Sequence, residues 1–547
     1  MQVTECPFSN GNGSLKPKET QKSFDSEDMN EDKMEVLPGP RGAPLVGQFF
    51  NLDTDNLHMQ FMEWQKAYGD LFMFKVFGQH YVVISHPDIL KEMFVTCEHA
   101  HLFNDRPASF ISKYVIDRNK DILFRKCDDK QQIIKMAALN YIETELLNGS
   151  EKWFYDNVIE EFEELNTSLV DVKDAPVDIT KKMDLTIAKV IALLLLGRRV
   201  KYGDPEFQCL FNFMKAGNEM AKVKNQTILT KFPGMRRVPG HLKDMYDSMC
   251  EEKSKLKEFY LEGNKCEKGL IAKLKQFAKE LTEKENESWL NEEFLLGVIM
   301  DLTAAAVVPL QNTLSALFLV LIHYPLVQES IRNEIRSMTS SVTIDDKINM
   351  PYCSACLLEI KRYHTPLAMS ARHSNRASAA QFESYNIPHK TQILSNLFGM
   401  HHDERFWPDP WRFKPERFLT GSGVLIRHCH PNMLNLVVSG VGPRRCLGAE
   451  FSTNVMFLAM TTILNKFHIR PCDTEVLPPC DPRQFLPGVV LRPPSYKCVV
   501  RQTNQIYRTN VIKVKNDLED TVNTERNEAE ANDLGQDRET VEASKSQ

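Results

Sequence analysis

The feature that most constrains the fold is a long apolar stretch at residues 291–324. Asn291 is a suitable helix N-cap, Glu292 and Glu293 place negative charge at the positive end of a helix dipole, and Pro325 would end the helix. At a rise of about 1.5 Å per residue, such a helix is about 50 Å long and can cross a whole domain. We therefore expect one large domain built around this helix.

The same stretch is also long enough to be a transmembrane segment, but its composition disfavours that alternative. Asp301, Pro309, Gln311 and Asn312 interrupt the apolar run, and no basic cluster marks either end. The mean hydropathy of the chain is −0.35, which argues against a polytopic membrane protein. A buried core helix is the better interpretation.

The remainder of the body, residues 37–502, combines helical signals with a few short β segments. Two β-rich runs, 71–77 and 81–85, are joined by Gly78 and Gln79 and predict a hairpin. No repeat or change of composition divides the body into two parts. The predicted fold class is therefore mainly α with small β-sheets, in a single large domain.

The formal net charge of −6 is distributed unevenly along the chain. Residues 1–36 carry −4 and residues 517–547 carry −7, which leaves +5 on the middle of the chain. The ends have little apolar surface to bury, so we expect disordered acidic tails at 1–36 and 503–547 around an ordered domain at 37–502. The chain is not globally basic, and no nucleic-acid partner is expected.

The N-terminal segment lacks the apolar core of a signal peptide or a membrane anchor. The thirteen cysteines are then expected to be reduced thiols, and the spacing of Cys353 and Cys356 or of the 428–430 cluster does not suit a zinc site. We expect a cytoplasmic protein, or one attached peripherally to a membrane.

The most informative short segment is 439–448, Ser-Gly-Val-Gly-Pro-Arg-Arg-Cys-Leu-Gly, which a predicted helix at 449–465 follows. Its cysteine, Cys446, follows two arginines and precedes a helix N-terminus. Both features stabilise a thiolate, so the thiol should ionise readily and could bind iron. The alternative from these residues alone is a buried cysteine in a glycine-rich turn.

This segment resembles the haem-binding loop of the cytochrome P450 superfamily. The pattern of that loop is Phe, two residues, Gly, one residue, Arg, one residue, Cys, one residue, Gly. Gly442, Arg444, Cys446 and Gly448 match the pattern, and Ser439 stands at the position of the Phe. Because that ring normally shields the thiolate, the sulfur of this chain should be more accessible to water.

Two further motifs of the superfamily lie upstream in the expected order. Glu359 and Arg362 form a Glu-x-x-Arg pair on one face of a predicted helix. Arg417 lies in a segment similar to the meander of the family, and the resemblance implies that it joins the pair as a buried triad behind the haem. The resemblance covers about 37–500 and is strongest to animal microsomal members that act on steroids, fatty acids and xenobiotics.

The resemblance implies a haem b cofactor, iron protoporphyrin IX, with the Cys446 thiolate as the axial ligand of the iron. Gly442 and Gly448 would let the backbone approach this flat group closely.

The resemblance also implies which cations face the haem propionates. By position, Arg444 and either Arg372 or His373 would pair with them. The family helix that supplies Trp and Arg to the propionates carries Lys130 and Lys135 in this chain, which can supply charge only.

The long helix departs from the family pattern where it should face the haem. Family members carry an acid and a threonine that deliver protons during the activation of dioxygen, whereas this chain has Val308 and Pro309. Neither can donate a proton, although a proline can maintain the kink of the helix. Gln311, Asn312 and Thr313 are candidate substitutes, and the simpler interpretation is that they lie on the far side of the helix.

Three hypotheses of function follow. The first is a haem-thiolate monooxygenase that oxidises a lipophilic steroid, fatty acid or xenobiotic, with electrons from a separate flavoprotein of the NADPH-cytochrome P450 reductase type. The second is a haem-thiolate isomerase or dehydratase that rearranges peroxides without dioxygen. The third is a non-catalytic haem-binding protein that acts as a carrier, sensor or scaffold.

Overall fold

The computed structural model describes residues 36–116, 120–148, 153–172, 175–263, 266–285, 289–338, 341–371, 373–375 and 379–502. Apart from Val36, the predicted tails lie outside the described residues, and so does Arg372. Helices dominate the described part of the chain, with small β-sheets beside them. The predicted fold class is confirmed.

The α-helices of the described residues are numbered in chain order. They are α1 (Leu57–Tyr68), α2 (Pro87–Lys91), α3 (Ala100–Phe103), α4 (Phe110–Tyr114), α5 (Asp129–Leu139), α6 (Leu146–Asn148), α7 (Trp153–Val170), α8 (Ile179–Leu196), α9 (Pro205–Ala221), α10 (Val223–Lys231), α11 (His241–Leu256), α12 (Leu270–Glu285), α13 (Glu292–His323), α14 (Pro325–Ser337), α15 (Pro351–His364), α16 (Leu397–His401), α17 (Pro431–Asn435) and α18 (Ala449–Lys466).

The strands of the described residues form small sheets. They are β1 (Leu71–Val76), β2 (Gln79–Ile84), β3 (His373–Ser374), β4 (Ala379–Phe382), β5 (Tyr385–Pro388), β6 (Gln392–Ser395), β7 (Phe467–Pro471) and β8 (Cys498–Gln502). One sheet has the order β1-β2-β6-β3, in which β2 and β6 are parallel and the other pairs are antiparallel. The other two are the antiparallel pairs β4-β5 and β7-β8.

The predicted hairpin is β1-β2, but its turn lies one residue earlier than Gly78-Gln79. Val76 pairs with Gln79, so the two turn residues are Phe77 and Gly78. Their φ angles are +47° and +74°. Positive φ at both positions is the geometry of a type I′ turn, which matches the twist of the strands and favours glycine at its second position.

The predicted long helix is α13, which differs from the predicted range by one residue at each end. The side-chain oxygen of Asn291 accepts the N–H of Phe294 at 3.1 Å, which confirms the predicted N-cap. The helix continues through Pro309, and every residue at 294–303 and 310–322 is buried. It packs against α8, α9, α12, α14, α15 and α18.

Among the described residues, α13 is also the one helix that is long and apolar enough to cross a membrane. Within its most apolar window, 78% of the helix is buried inside the protein. Because the neighbouring helices cover it, the observation agrees with a core helix. The length and composition of a helix alone do not separate the two cases.

Two helix-interior glycines provide a test of how closely α13 is packed. A Cβ at Gly297 of α13 would lie 1.8 Å from the carbonyl oxygen of Lys120, whereas one at Gly217 of α9 would meet nothing within 4 Å. We expect Gly297→Ala to lower the free energy of unfolding by about 1–3 kcal/mol because the two segments must separate. The matched change Gly217→Ala should raise it by about 0.5–1 kcal/mol. Urea unfolding measures both, and equal effects would contradict the close contact.

Candidate functional site

The cysteine loop, residues 439–448, folds back on itself. The N–H of Cys446 donates to the carbonyl of Ser439 at 2.8 Å, and the N–H of Arg445 donates to that of Gly442 at 3.0 Å. The φ angles of Gly440 and Gly442 are +72° and +64°, which side-chain-bearing residues rarely adopt. These glycines therefore allow the tight fold that brings Cys446 back to the start of the loop.

The glycines of the loop differ in what surrounds them. A Cβ at Gly442 would lie 2.9 Å from the carbonyl oxygen of Phe94 and 3.2 Å from a methyl group of Val95. At Gly448, two residues beyond the cysteine, a Cβ would meet nothing within 4 Å. Gly442 thus fits closely against the protein, while Gly448 leaves open space beside Cys446.

Lys135 of α5 fixes the cysteine loop from the outside. Its ammonium group donates to the carbonyl oxygens of Pro443 at 2.6 Å and Arg445 at 2.9 Å. Burial lowers the pKa of Lys135, and the nearby cation of Arg444 lowers it further. Lys135 thus supplies positive charge near Cys446, whereas Lys130 lies over the ring of Trp289.

The prediction that the thiol of Cys446 ionises readily is wrong for the protein without a bound metal ion. Although Cys446 is exposed, the protein that surrounds it disfavours the charged form and raises the pKa of the thiol. The N–H of Gly448 and the cations of Lys361, Lys135 and Arg445 act in the opposite direction and do not outweigh this effect. A bound metal ion deprotonates a coordinating thiol, so ionisation would depend on the iron.

Lys361 of α15 is a cation that the sequence analysis missed. Its ammonium group donates to the hydroxyl of Thr453 in α18, and burial lowers its pKa to about 8. The sequence position of Lys361, immediately before Arg362, does not indicate that α15 directs its side chain towards the cysteine loop.

Arg444 makes contacts with the backbone of the protein. Its guanidinium donates to the carbonyl oxygens of Asn104 at 2.9 Å and Ile122 at 3.1 Å, and also to that of Arg125. These bonds tie the cysteine loop to the segment before α5. They hold the guanidinium in place. Because a guanidinium has five N–H donors, Arg444 has two more than these three bonds use.

A pair of buried carboxyl groups lies near Arg444. One side-chain oxygen of Asp301 in α13 accepts the N–H groups of Ile122 at 2.9 Å and Leu123 at 2.7 Å. Asp121 accepts the N–H of Phe124 at 3.1 Å. Burial raises the pKa of Asp121 to about 6 and that of Asp301 well above its usual range, and the proximity of Asp121 contributes to the second shift.

Arg106 is a half-buried cation of this region, and the sequence analysis also missed it. It donates to the carbonyl oxygens of Leu123 at 3.1 Å and Ala371 at 2.7 Å. Burial lowers its pKa to about 9, and the nearby Arg444 lowers it further. The only signal in the sequence is an arginine between Asp105 and Pro107, a pattern common in surface turns.

His373, one of the predicted propionate partners, lies in β3. It is buried, its ring centroid is 4.3 Å from that of Phe94, and its Nδ1 has no hydrogen-bond partner among the described residues. Burial holds the pKa of His373 well below its usual range, and the cations of Arg106 and Arg444 lower it further. An unpaired polar atom of this kind is a suitable contact for an acidic ligand.

The structure brings the three residues of the predicted triad together. Glu359 and Arg362 are both fully buried, and two parallel N–H···O bonds of 2.8 Å join them. Arg417 reaches the same carboxylate at 3.4 Å. The remaining donors of Arg362 bind the carbonyl oxygens of His401 at 2.8 Å, Pro410 at 3.0 Å and Arg412 at 3.4 Å.

His401 connects this triad to the approach of the cysteine loop. Its Nε2 accepts the N–H of Val437 at 3.1 Å, so the proton lies on Nδ1, which is 3.0 Å from the hydroxyl of Thr365. That hydroxyl donates to the carbonyl of Arg362 at 2.6 Å. Burial lowers the pKa of His401 to about 3, and Arg362 lowers it further, so the ring remains neutral.

The centre of α13 opens between its two buried stretches. Ala304 and Ala305 are exposed, and Ala306, Val308 and Pro309 are half-buried. Since this helix crosses the core, exposure at its middle indicates an internal hollow. The predicted relay positions, Val308 and Pro309, border that hollow.

Each of the three candidate relay substitutes donates to a backbone carbonyl. Gln311 donates to Asp184 of α8 at 2.7 Å and Asn312 to Leu491 at 3.1 Å. The hydroxyl of Thr313 donates to the carbonyl of Pro309, one turn earlier in α13, at 2.7 Å. All three are also buried. The amides of Gln311 and Asn312 connect α13 to other segments, whereas the hydroxyl of Thr313 donates within the helix.

These features together fit a haem group. The open space at Gly448 lies beside an exposed cysteine, and the centre of α13 presents small apolar side chains to an internal hollow. Half-buried cations at Arg106 and Arg444 and the unpaired Nδ1 of His373 suit an acidic edge. The fold and the site define a haem-thiolate protein.

Comparison with known proteins identifies the family. The sequence profile of the family described as Cytochrome P450 matches residues 37–500. Cytochrome P450 2J5 of Mus musculus is 23% identical over 491 residues, which cover 84% of this chain and 90% of that protein. The chain belongs to the cytochrome P450 family, whose members bind haem through a cysteine thiolate and which is a family of monooxygenases.

Two other relatives show a similar degree of likeness. Steroid 17-alpha-hydroxylase/17,20 lyase of Ictalurus punctatus is 24% identical over 488 residues, 85% of this chain and 90% of that protein. Cytochrome P450 2B19 of Mus musculus is 26% identical over 475 residues, 84% of this chain and 92% of that protein. Membership of this family indicates an oxidoreductase.

The buried triad makes a prediction about stability. Glu359→Gln leaves the guanidinium of Arg362 buried without its counter-charge, so we expect the free energy of unfolding to fall by about 3–5 kcal/mol. The matched control is Glu283→Gln, in an exposed pair with Lys279 at 3.9 Å, for which we expect a change below about 0.5 kcal/mol. Urea unfolding measures both variants. A small loss at Glu359 would show that the pair does not hold this region together.

Proposed function

We propose that this protein is a haem-thiolate monooxygenase that inserts an oxygen atom from O₂ into a lipophilic small molecule of the steroid, fatty acid or xenobiotic class. The observation that carries the proposal is the combination of an exposed cysteine in a tight glycine loop with an exposed, apolar centre of the core helix. The first offers an iron ligand, and the second offers an apolar wall to a substrate. The named relatives include a steroid hydroxylase.

In this proposal Cys446 is the axial ligand of a haem b. The haem would supply the activation of dioxygen, which a thiolate ligand favours by donating electron density. Lys135 holds the cysteine loop through two carbonyl groups, and Gly448 leaves room for the flat group. Arg106, Arg444 and His373 would orient the acidic edge, while Arg372, the predicted alternative to His373, lies outside the described residues.

Electrons would come from a separate flavoprotein of the NADPH-cytochrome P450 reductase type. The outward side of α5 carries two exposed apolar residues, Ile133 and Met136, and Pro443 and Arg445 of the adjoining cysteine loop are exposed as well. An exposed apolar patch with positive charge at its edge supports an interaction with an acidic partner.

We propose a location in the cytoplasm or on the surface of the endoplasmic reticulum, with a peripheral membrane contact. A cluster of exposed apolar residues supports that contact: Phe50 is 79% and Leu45 93% exposed. The ring of Phe49 is 5.2 Å from that of Phe50 and 4.6 Å from that of Phe77. Such a contiguous apolar patch is suited to the boundary of a lipid layer.

The role of Cys446 can be tested directly. We expect Cys446→Ser to abolish the ferrous–CO absorption band of a thiolate-ligated haem, because the sulfur ligand is removed. Cys429→Ser is the matched control, since Cys429 is also an exposed cysteine and lies in the preceding loop. Wild-type protein that takes up no haem, or a Cys446→Ser variant that retains the thiolate band, would contradict the proposal.

A second candidate function is an isomerase or dehydratase that rearranges peroxides without dioxygen. The observation that favours it is the lack of a side-chain proton donor at Val308 and Pro309, together with the use of Gln311, Asn312 and Thr313 in backbone contacts. Oxygen activation needs protons, whereas the rearrangement of a peroxide uses an O–O bond that is already present. A non-catalytic haem-binding role would leave both reactions undetectable.

A substitution at position 309 separates these functions. If proton delivery limits monooxygenation, Pro309→Thr introduces a hydroxyl and should raise product formed per NADPH, by up to about 100-fold. Pro309→Ala is the matched control, because it restores the amide hydrogen without a hydroxyl. Reductase-supported oxidation of a lipid panel provides the measurement. Unchanged turnover would contradict proton limitation, and peroxide consumption without NADPH would favour the second function.

A further inference from the structure

Lys361 of α15 is a half-buried cation that is held at the start of α18. Its ammonium group donates to the hydroxyl of Thr453 and lies 3.5 Å from the carbonyl oxygen of Ala449, the first residue of that helix. The same hydroxyl donates to the Ala449 carbonyl at 2.7 Å. Lys361 is therefore fixed beside the helix end that follows the cysteine loop.

The charge of Lys361 lacks a counter-charge in direct contact. Among the described residues it forms no ion pair, and the two oxygens that it contacts belong to a hydroxyl and a carbonyl group. Glu450 lies nearby, but its carboxylate binds Lys347 at 2.5 Å. A desolvated cation without a paired anion is costly, and burial accordingly lowers the pKa of Lys361 to about 8. The surroundings of Lys361 are thus short of one negative charge.

The sulfur of Cys446 is in a position to supply that charge. The N–H of Gly448 donates to this sulfur, and Gly448 immediately precedes Ala449, whose carbonyl faces Lys361. Among the cations that favour the charged form of the Cys446 thiol, Lys361 acts most strongly. The ammonium group and the sulfur are therefore neighbours at one helix end.

We infer that Lys361 is a positioning residue that provides the counter-charge of the Cys446 thiolate and thereby raises the reduction potential of the bound iron. The inference rests on the proposed haem site, because the thiolate forms when the sulfur binds the metal. Reduction of the iron adds one negative charge to the site, and a fixed cation beside the sulfur stabilises that charge. The iron would then accept an electron from the flavoprotein more readily.

The experiment measures the reduction potential of the haem-loaded, full-length protein by spectroelectrochemical titration at neutral pH. Lys361→Gln removes the charge and keeps a hydrogen-bond donor for Thr453, whereas Lys361→Arg keeps the charge. Lys253→Gln is the matched control. Lys253 is also a half-buried lysine that binds a carbonyl oxygen, that of Val115 at 2.7 Å, but it lies in α11.

We expect the equilibrium constant for one-electron reduction to fall on the order of 10-fold in Lys361→Gln, which corresponds to a potential about 59 mV lower. Lys361→Arg and Lys253→Gln should keep the wild-type potential. Lys361→Met is a second neutral variant and should match Lys361→Gln, because both remove the same charge. Since Lys361 has no ion-pair partner, urea unfolding of the haem-free neutral variants should show no loss of stability.

The outcomes separate this inference from the proposed function. A thiolate-ligated protein whose potential is the same in the wild type and in both neutral variants overturns the inference and leaves the proposed function standing. An equal fall in Lys361→Arg or Lys253→Gln would also overturn it, because the effect would not come from the charge at 361. Loss of the thiolate band in Lys361→Gln with its retention in Lys361→Arg would support the inference. Wild-type protein that does not take up haem overturns both.

Discussion

The ion pair between Glu359 and Arg362 is the interaction on which the cysteine side of the molecule depends. Both groups are fully buried, and a buried charge is tolerated only when its partners satisfy it. The backbone meets this requirement: Arg362 binds the carbonyl oxygens of His401 and Pro410, and Glu359 accepts the N–H of Lys414 at 2.9 Å. The irregular segment after α16 is therefore held in place by two residues of α15. His401 extends this connection, because its Nε2 accepts the N–H of Val437.

The charges around the cysteine loop serve mainly to position the backbone. Lys135 binds two carbonyl oxygens of the loop, and Arg444 binds three carbonyl oxygens of the opposite segment. Each bond compensates for the desolvation of a cation, which would otherwise be costly. The loop is fixed from both sides, and desolvation by the surrounding protein raises the pKa of the Cys446 thiol.

The proline in α13 removes one backbone hydrogen bond from the core helix, because its nitrogen carries no hydrogen. The helix continues through Pro309 because its two buried stretches are packed against other helices along its length. Packing thus maintains the helix through a residue that cannot donate a backbone hydrogen bond.

Local signals in the sequence predicted much of the fold and the motifs of the site. The N-cap of Asn291, the apolar run of α13, the glycines of the loop and the spacing of Glu359 and Arg362 depend only on residues close in sequence. The partners of Lys135, Lys361, Arg106 and Gln311 could not be predicted in this way. Each of these groups meets a backbone or hydroxyl oxygen on a distant segment, and no sequence pattern encodes such a contact.

The sequence by itself determined the class of the protein. The thiol between glycines and the carboxylate three residues from an arginine are local motifs, so they can be recognised in the chain without the fold. Only the tertiary structure decided which polar groups are used up by the fold and which still face the hollow. A hydrogen bond is a matter of distance between two atoms, and for Gln311, Asn312 and Arg444 the second atom is supplied by segments that only folding brings near.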